Sequence, residues 1–122
     1  MNLLTLTQEN FDEVIENNEL VVVDFWANWC APCVAFNKIY EQVAAKNPNA
    51  IFGKVDIEAQ PELATDFNVR SVPTLLVLRR KVLLFSEAGA LPATALQELL
   101  DQAHALDIEQ VCKDLYQDNK GE

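Results

Sequence analysis

The chain has 122 residues, of which 50% are hydrophobic, and its formal net charge is −10. This length predicts one domain with a compact core, and so acidic a surface disfavours nucleic-acid binding because it would repel phosphates. Three cysteines are too few, and odd in number, for a secreted disulfide scaffold, so a cytoplasmic location is favoured. In that compartment, paired cysteines are usually redox-active or bind metal.

The first half of the chain predicts two strands and two helices. Residues 3–6 are a candidate edge strand, and Thr7 is a candidate N-cap for the helix that follows. Residues 20–27 are apolar on both faces and rich in β-branched side chains, which is typical of a buried central strand. From Cys33 onward apolar residues recur at helical spacing until residues 47–49 end the pattern. The N-terminal stretch lacks the basic segment of a signal peptide, and no apolar run is long enough to span a bilayer, so no membrane partner is expected.

The second half of the chain continues the alternation of strands and helices. Residues 51–57 predict a strand, Pro61 opens a short helix, and Pro92 starts a longer one. Residues 74–78 and 82–86 predict two strands, close enough in sequence for an antiparallel hairpin. The order βαβαβαββα predicts an α/β fold in which helices cover a sheet that contains parallel strands.

A separate helix is predicted at the C-terminus. Beyond residue 105 the apolar phase changes, and a new stripe is formed by Ile108, Val111, Cys112 and Leu115. Asp107 and Gln110 stand three residues apart, which resembles a capping box with Asp at the N-cap. A helix this short is marginal alone. We therefore predict a domain over residues 1–105 and a helical extension over residues 106–122 that folds back on it.

Two cysteines, Cys30 and Cys33, stand directly after the predicted central strand and at the start of a helix. The unpaired N–H groups and the macrodipole at a helix N-terminus favour negative charge, so the Cys30 thiol should have a lowered pKa and act as the nucleophile. Pro32 suits the first helical turn because it loses no hydrogen bond there. Cys33 lies three residues on, on the same helical face, so the two sulfurs can meet. We expect Cys33 to be the more buried, resolving thiol.

Half of a zinc site is the alternative interpretation of this pair. Structural zinc has four protein ligands, and the only further cysteine and histidine, Cys112 and His104, lie near the C-terminus. We expect no metal site: His104 is interpreted as a surface residue, and Cys112 as a small apolar packing residue.

A carboxylate inside the buried strand is the second unusual feature. Asp24 follows three consecutive valines, and a buried carboxylate has a raised pKa unless it is paired. Asp24 is therefore a candidate proton acceptor for Cys33, the alternative being an edge position that faces water. Lys54 on the next strand is a candidate partner for Asp24, and the alternative is a solvated lysine.

Three separated motifs resemble the thioredoxin family. Residues 23–33, Val-Asp-Phe-Trp-Ala-Asn-Trp-Cys-Ala-Pro-Cys, look like its active-site stretch, residues 72–74 like its cis-proline segment, and Gly89 like its substrate-groove glycine. The resemblance implies a thioredoxin fold, with a mixed five-stranded sheet flanked by helices. It also implies protein disulfide reduction by the cysteine pair, and docking of substrates in a groove lined by Trp29, Ala31, Pro32, Val72, Pro73 and Gly89.

The resemblance further implies partners and a source of electrons. Disulfide-containing proteins would be the substrates, and a flavoprotein, thioredoxin reductase, would pass electrons from NADPH to the oxidised pair. No bound cofactor is implied, because the redox-active group is the Cys30/Cys33 pair itself. We expect the protein to be a monomer.

Four positions depart from the family pattern. Ala31 replaces the usual glycine between the cysteines, Val34 the lysine after the second cysteine, and Lys38 the proline that kinks the helix. The charged turn at residues 79–81 lacks a glycine. The first two changes alter the electrostatics and the backbone freedom around Cys30, so the family's redox potential does not carry over to this chain.

Two other functions are compatible with the sequence. A thioredoxin-like binding module or co-chaperone would use the C-terminal helix to dock a partner, and an oxidase or isomerase would differ in redox poise. The intact cysteine pair together with Asp24 and Pro73 favours the reductase, and the absence of a signal peptide disfavours the oxidase.

Overall fold

A computed structural model describes residues 2–120, with side-chain surroundings for residues 2–114. Five strands and five helices follow one another in these residues. In chain order they are β1 (Leu3–Thr5), α1 (Phe11–Asn17), β2 (Leu20–Trp26), α2 (Ala31–Lys46), β3 (Ile51–Asp56), α3 (Pro61–Asp66), β4 (Thr74–Arg79), β5 (Val82–Ala88), α4 (Ala93–Ala105) and α5 (Ile108–Lys120). The order agrees with the predicted alternation, and the predicted C-terminal helix is present.

All five strands form one mixed sheet, as predicted. Its order is β1-β3-β2-β4-β5. Strand β3 pairs in parallel with both β1 and β2, whereas β4 runs antiparallel to β2 and to β5. The middle position of β2 explains its continuous apolar sequence, because both of its faces are covered. No helix in the described part of the chain is long and apolar enough to cross a membrane.

The two faces of β2 pack into two separate apolar clusters. One face carries Leu20 and Val22 against α2 and α4, which contribute the buried side chains of Phe36, Tyr40, Val43, Leu96 and Leu100. The other face carries Val21, Val23 and Phe25 against α1 and α3. Alternate side chains of a strand point to opposite faces. The even-numbered residues of β2 therefore face the helix that begins at the cysteines.

The start of α1 differs from the prediction. The N–H of Thr7 donates to Asn10 Oδ1 at 2.7 Å, and the N–H of Phe11 donates to the Thr7 carbonyl at 2.9 Å. These bonds close a turn ahead of the helix, which begins at Phe11. The expectation that Thr7 is the N-cap was wrong. Its carbonyl oxygen accepts a hydrogen bond within this turn, and the N-cap position is occupied by Asn10.

The C-terminal helix α5 has one of the two bonds of the predicted capping box. Asp107 Oδ1 accepts a hydrogen bond from the Gln110 N–H at 3.1 Å. The side chain of Gln110, however, donates forward to Asp114 at 2.9 Å. The helix start is therefore capped by the aspartate alone.

The apolar stripe of α5 begins at a buried residue. Ile108 is buried, and Val111 and Cys112 are half-buried. Leu115, which completes the predicted stripe, lies outside the residues whose side-chain surroundings are described. The division into a domain and an extension that folds back on it stays a prediction.

One arginine joins the sheet to the segment between the last two helices. Arg79 Nη1 lies within hydrogen-bond distance of the carbonyl oxygens of Ala103, His104 and Leu106, at 2.8, 3.0 and 2.7 Å. Its Nη2 lies 3.6 Å from Glu19 Oε1. The last carbonyls of a helix lack intrahelical donors, so the guanidinium satisfies the end of α4. Arg79 thus belongs to β4 and not to the charged connection that the sequence predicted.

Candidate active site

The dithiol lies at the junction of β2 and α2. Cys30 occupies the N-cap position of α2 and Cys33 its first turn, with Cα atoms 5.2 Å apart and the two sulfurs joined in a disulfide. The N–H of Cys33 donates to Cys30 Sγ at 3.1 Å. Helix N-terminal N–H groups stabilise negative charge, so this donor would stabilise a thiolate on Cys30 when the pair is reduced.

Burial does not distinguish the two cysteines. The exposed fraction of Cys30 is 4% and that of Cys33 is 3%, so Cys33 is the more buried thiol, as expected, but only by a negligible margin. Their surroundings differ instead. Cys30 Sγ accepts from the helix start and lies 3.6 Å from the carbonyl oxygen of Val72, and the asymmetry of the pair is therefore one of hydrogen bonding.

The residues expected to form the docking groove differ in exposure. Trp29 is 68% exposed, Ala31, Pro32 and Gly89 are also exposed, Val72 is half-buried, and Pro73 is buried. The Val72–Pro73 peptide bond is cis.

The Val72–Pro73 segment connects the dithiol with Gly89. Val72 packs against the apolar cluster that contains Cys30 and Cys33. On its other side the Gly89 N–H donates to the Pro73 carbonyl at 2.8 Å. Gly89 has a φ of 111°, a conformation that residues with a Cβ rarely adopt. The glycine therefore lets the chain after β5 turn back against the proline.

Asp24 is fully buried on β2, on the face covered by α2. In the part of the chain whose side chains are described, neither of its carboxylate oxygens has a hydrogen-bond partner. Burial raises the pKa of Asp24 from the ordinary value of 3.8 to about 7, and the positive charge of Lys54 opposes this rise. The water-facing edge position considered for Asp24 is thereby excluded.

Lys54 is the neighbour of Asp24 across the β2–β3 register, but it does not form the expected ion pair. Its ammonium donates to Asn37 Oδ1 and lies 4.8 Å from the centre of the Trp26 ring. Asn37 was not among the sequence candidates. Its position four residues after Cys33, on the same face of a helix, was the signal that could have identified it.

The remaining candidates for metal ligation do not assemble. His104 is exposed near the end of α4, and Cys112 is a free cysteine in α5. Within the residues that the structure describes, no group of three or more His, Cys, Asp and Glu side chains is placed to hold a metal ion.

A cysteine pair at a helix start, a buried carboxylate behind it and a cis-proline beside it define a class of protein that exchanges thiols and disulfides. The thioredoxin family model matches residues 2–102. A putative thioredoxin 2 of Streptomyces coelicolor is 51% identical over 108 residues, covering 88% of this chain and 81% of that protein. Thioredoxin C-3 of Corynebacterium nephridii is 42% identical over 100 residues, covering 81% of this chain and 69% of that protein.

Solved structures agree with these sequence relatives. A mutant thioredoxin from Halobacterium salinarum superposes with a TM-score of 0.80 at 29% identity, covering 86% of this chain and 93% of that one. The chain therefore belongs to the thioredoxin family. It is a thiol–disulfide oxidoreductase of the protein disulfide reductase type, as the sequence predicted. Nothing in the comparisons favours the binding-module alternative.

Proposed function

We propose that Cys30 attacks the disulfide of a substrate protein and that Cys33 resolves the mixed disulfide. The observation that carries this assignment is the hydrogen bond from the Cys33 N–H to Cys30 Sγ. The same donor would stabilise a Cys30 thiolate and thereby increase the fraction of the attacking form at neutral pH. Cys33 Sγ has no equivalent donor in the described residues, which suits a thiol that stays protonated until it is needed.

The exchange proceeds in two balanced steps. The Cys30 thiolate displaces one substrate sulfur as a thiolate and forms an S–S bond to the other. Cys33, after losing its proton, attacks Cys30 Sγ, which releases the second substrate sulfur and forms the Cys30–Cys33 disulfide. The substrate gains two electrons and, once its thiolates are protonated, two protons.

Asp24 is the proposed proton acceptor for Cys33. A base is effective when its pKa lies close to the working pH, and burial brings the Asp24 carboxyl to about 7. The side chain faces α2, which carries Cys33 in its first turn. Asp24 therefore takes the Cys33 proton in the second step and returns it when the pair is reduced again.

The proposed docking groove consists of Trp29, Ala31, Pro32, Val72, Pro73 and Gly89. Exposed aromatic and apolar side chains are typical of surfaces that bind other proteins. Trp29 and the neighbouring Val34 are 68% and 61% exposed. These two side chains give the substrate an apolar surface on the rim of the dithiol.

The proposed setting is a cytoplasmic cycle. Disulfide-containing proteins are the substrates, and a flavoprotein thioredoxin reductase returns electrons from NADPH to the Cys30–Cys33 disulfide. Family membership supports this partner. The protein acts as a monomer and contributes to electron transport and redox homeostasis in the cell.

Trapping of the mixed disulfide tests the division of roles. Cys33→Ser should accumulate mixed disulfides on Cys30, seen as adducts by non-reducing electrophoresis and mass spectrometry, whereas Cys30→Ser should accumulate none. Capture by Cys30→Ser alone would reverse the assignment. Turnover of insulin with thioredoxin reductase and NADPH tests the cycle, and a protein that is reduced only by dithiothreitol would have a different electron donor.

A further inference from the structure

A pocket of about 150 Å³ opens beside Cys33, between α2 and β3. It is lined by Trp26, Cys33, Val34, Asn37 and Lys54. The Lys54 ammonium donates to Asn37 Oδ1 and lies 4.8 Å from the centre of the Trp26 ring, at a distance typical of a cation–π contact. The ammonium is thus held by an amide and an aromatic ring, on the side of the resolving cysteine.

Asn37 is itself fixed in orientation. Its Nδ2 donates to Glu41 Oε1 at 3.0 Å, one helical turn further on. An amide that donates from its nitrogen presents its oxygen as the acceptor, and here that oxygen faces Lys54. Both ends of the Asn37 amide are therefore engaged.

Lys54 is also close enough to Asp24 to form an ion pair with it. Asp24 and Lys54 are neighbours in the register of β2 and β3, so their side chains leave the sheet on the same face, from strands about 5 Å apart. A lysine has a flexible four-carbon stem. Yet among the described residues neither carboxylate oxygen of Asp24 has a partner. The ammonium is anchored elsewhere.

We propose that Asn37 is a positioning residue whose amide oxygen holds the Lys54 ammonium in the pocket and prevents an ion pair with Asp24. The inference rests on the proposed role of Asp24 as the proton acceptor of Cys33. An ion-paired carboxylate stays ionised into more acidic solution and is a weaker base. An unpaired one in the same place exchanges its proton near neutral pH.

The other groups around Asp24 leave Lys54 as the source of positive charge. On α2 the ionisable side chains on this side are Cys33 and Tyr40, with Glu41 reached only through Asn37. Strand β3 adds Asp56 further along the same face. Strand β4 and helix α4 present apolar side chains, namely Leu75, Val77, Leu96 and Leu100. Of the groups named here only Lys54 is cationic, so the site of its ammonium determines how well ionised Asp24 is stabilised.

Direct titration of the Asp24 carboxyl by carbon NMR, in the reduced full-length protein, tests the proposal. Asn37→Leu removes the anchor and should lower the pKa of Asp24 by about 1 or more, since an opposite charge that comes within contact distance has this effect. Asn37→Ala should act in the same direction, which guards against a packing effect of leucine. Asn37→Asp keeps the acceptor and should not lower the pKa. Lys38→Ala, an exposed neighbour on α2, is the matched control and should change nothing.

A double variant tests whether Asn37 changes the pKa of Asp24 through Lys54. If Asn37 acts through Lys54, Asn37→Leu should cause no further change in a Lys54→Met background. An Asp24 pKa that is unchanged or raised in both Asn37→Leu and Asn37→Ala, or an equal fall without Lys54, overturns the proposal. The pH profile of mixed-disulfide release separates this result from the role of Asp24: a pKa that moves while the profile stays fixed supports the positioning by Asn37 and refutes Asp24 as the proton acceptor.

Discussion

Each end of strand β2 has a charged side chain, and the two side chains differ in their hydrogen-bond partners. At the carboxyl end Asp24 is fully buried, and in the described residues neither of its oxygens has a hydrogen-bond partner. At the amino end Arg79, on the neighbouring strand β4, shares Nη1 among three carbonyl oxygens and faces Glu19. The Asp24 carboxylate thus has no partner in the described residues, whereas the two Nη atoms of Arg79 have four acceptors nearby and only its buried Nε has none.

The two environments suit different roles, namely proton exchange for Asp24 and structural anchoring for Arg79. An isolated buried carboxyl has a pKa shifted toward neutrality, so its protonation can change during a reaction. A guanidinium that is bound by carbonyls stays charged and fixes the segments that carry those carbonyls. The dithiol follows the end of β2 that carries Asp24, and the end of α4 is joined to the sheet at the opposite end, beside Arg79.

Removal of the Arg79 guanidinium should have the largest effect on stability. We expect Arg79→Met to lower the free energy of unfolding by about 3 kcal/mol, because three carbonyl oxygens at the end of α4 lose a charged donor. Insulin reduction should continue at nearly the normal rate below the unfolding transition, since the dithiol is at the other end of β2. Urea unfolding and an insulin turbidity assay provide the two measurements.

Glu19→Gln is the matched control for this variant. The Glu19 side chain is 61% exposed, and exposed ion pairs contribute at most about 1 kcal/mol. Equal losses for Arg79→Met and Glu19→Gln would mean that the ion pair, and not the contact with α4, is what Arg79 contributes.

The isolated charge should make stability depend on pH. The folded pKa of Asp24 is about 7 and the ordinary value is 3.8, so the folded state retains a proton that the unfolded chain releases between about pH 4 and about pH 7. The free energy of unfolding therefore falls as the pH rises through this window. The two pKa values differ by about 3, which corresponds to at most about 4 kcal/mol.

Asp24→Asn should remove this pH dependence. The amide avoids ionisation but is still a buried polar group, so we expect a gain of about 2 kcal/mol near pH 8 and little change near pH 4. Release of the mixed disulfide should slow at neutral pH because Cys33 has lost its proton acceptor. The measurements are chemical denaturation at several pH values and stopped-flow exchange. A variant with the wild-type pH dependence would show that another group is responsible.

The sequence predicted the backbone order and the reactive pair well, because both depend on local patterns. Strand β2 is recognisable from its run of apolar residues, and the helix start at Cys30 and Cys33 from the proline between them. The burial of Asp24 followed from the same run. Each of these features is contained in a short window of sequence.

The features that the sequence did not predict depend on contacts between distant segments or on the choice between two partners. Lys54 was assigned to Asp24 by strand proximity, but its ammonium donates to Asn37 on α2, which is 17 residues away in sequence. Arg79 was assigned to a charged connection, since nothing near it in sequence indicates that its acceptors lie more than twenty residues later. Side-chain partners of this kind require the fold.

Truncation after residue 105 tests whether the C-terminal helix stabilises the end of the sheet that Arg79 joins to α4. The deletion removes the buried Ile108 and one carbonyl acceptor of Arg79, at Leu106. We expect a loss of about 1 to 2 kcal/mol, with disulfide reduction retained, because a buried apolar side chain contributes about this amount. Thermal unfolding and sedimentation provide the measurements. Unchanged stability with an altered mass in solution would mean that α5 is an assembly element.

The smallest expected effect concerns the cap of α5. Asp107 Oδ1 accepts from the Gln110 N–H, and loss of such a cap costs about 1 kcal/mol, most of it local to the helix. Asp107→Ala should therefore leave global unfolding almost unchanged but open α5 roughly fivefold more often. Cys112, a half-buried free cysteine in α5, reports this opening, so a thiol reagent should label it about fivefold faster under conditions that keep the Cys30–Cys33 disulfide intact. Asp114→Ala, which removes the side-chain contact with Gln110 but leaves the cap in place, should change the labelling rate much less. Equal rates in all three proteins would show that Cys112 is accessible without opening of α5.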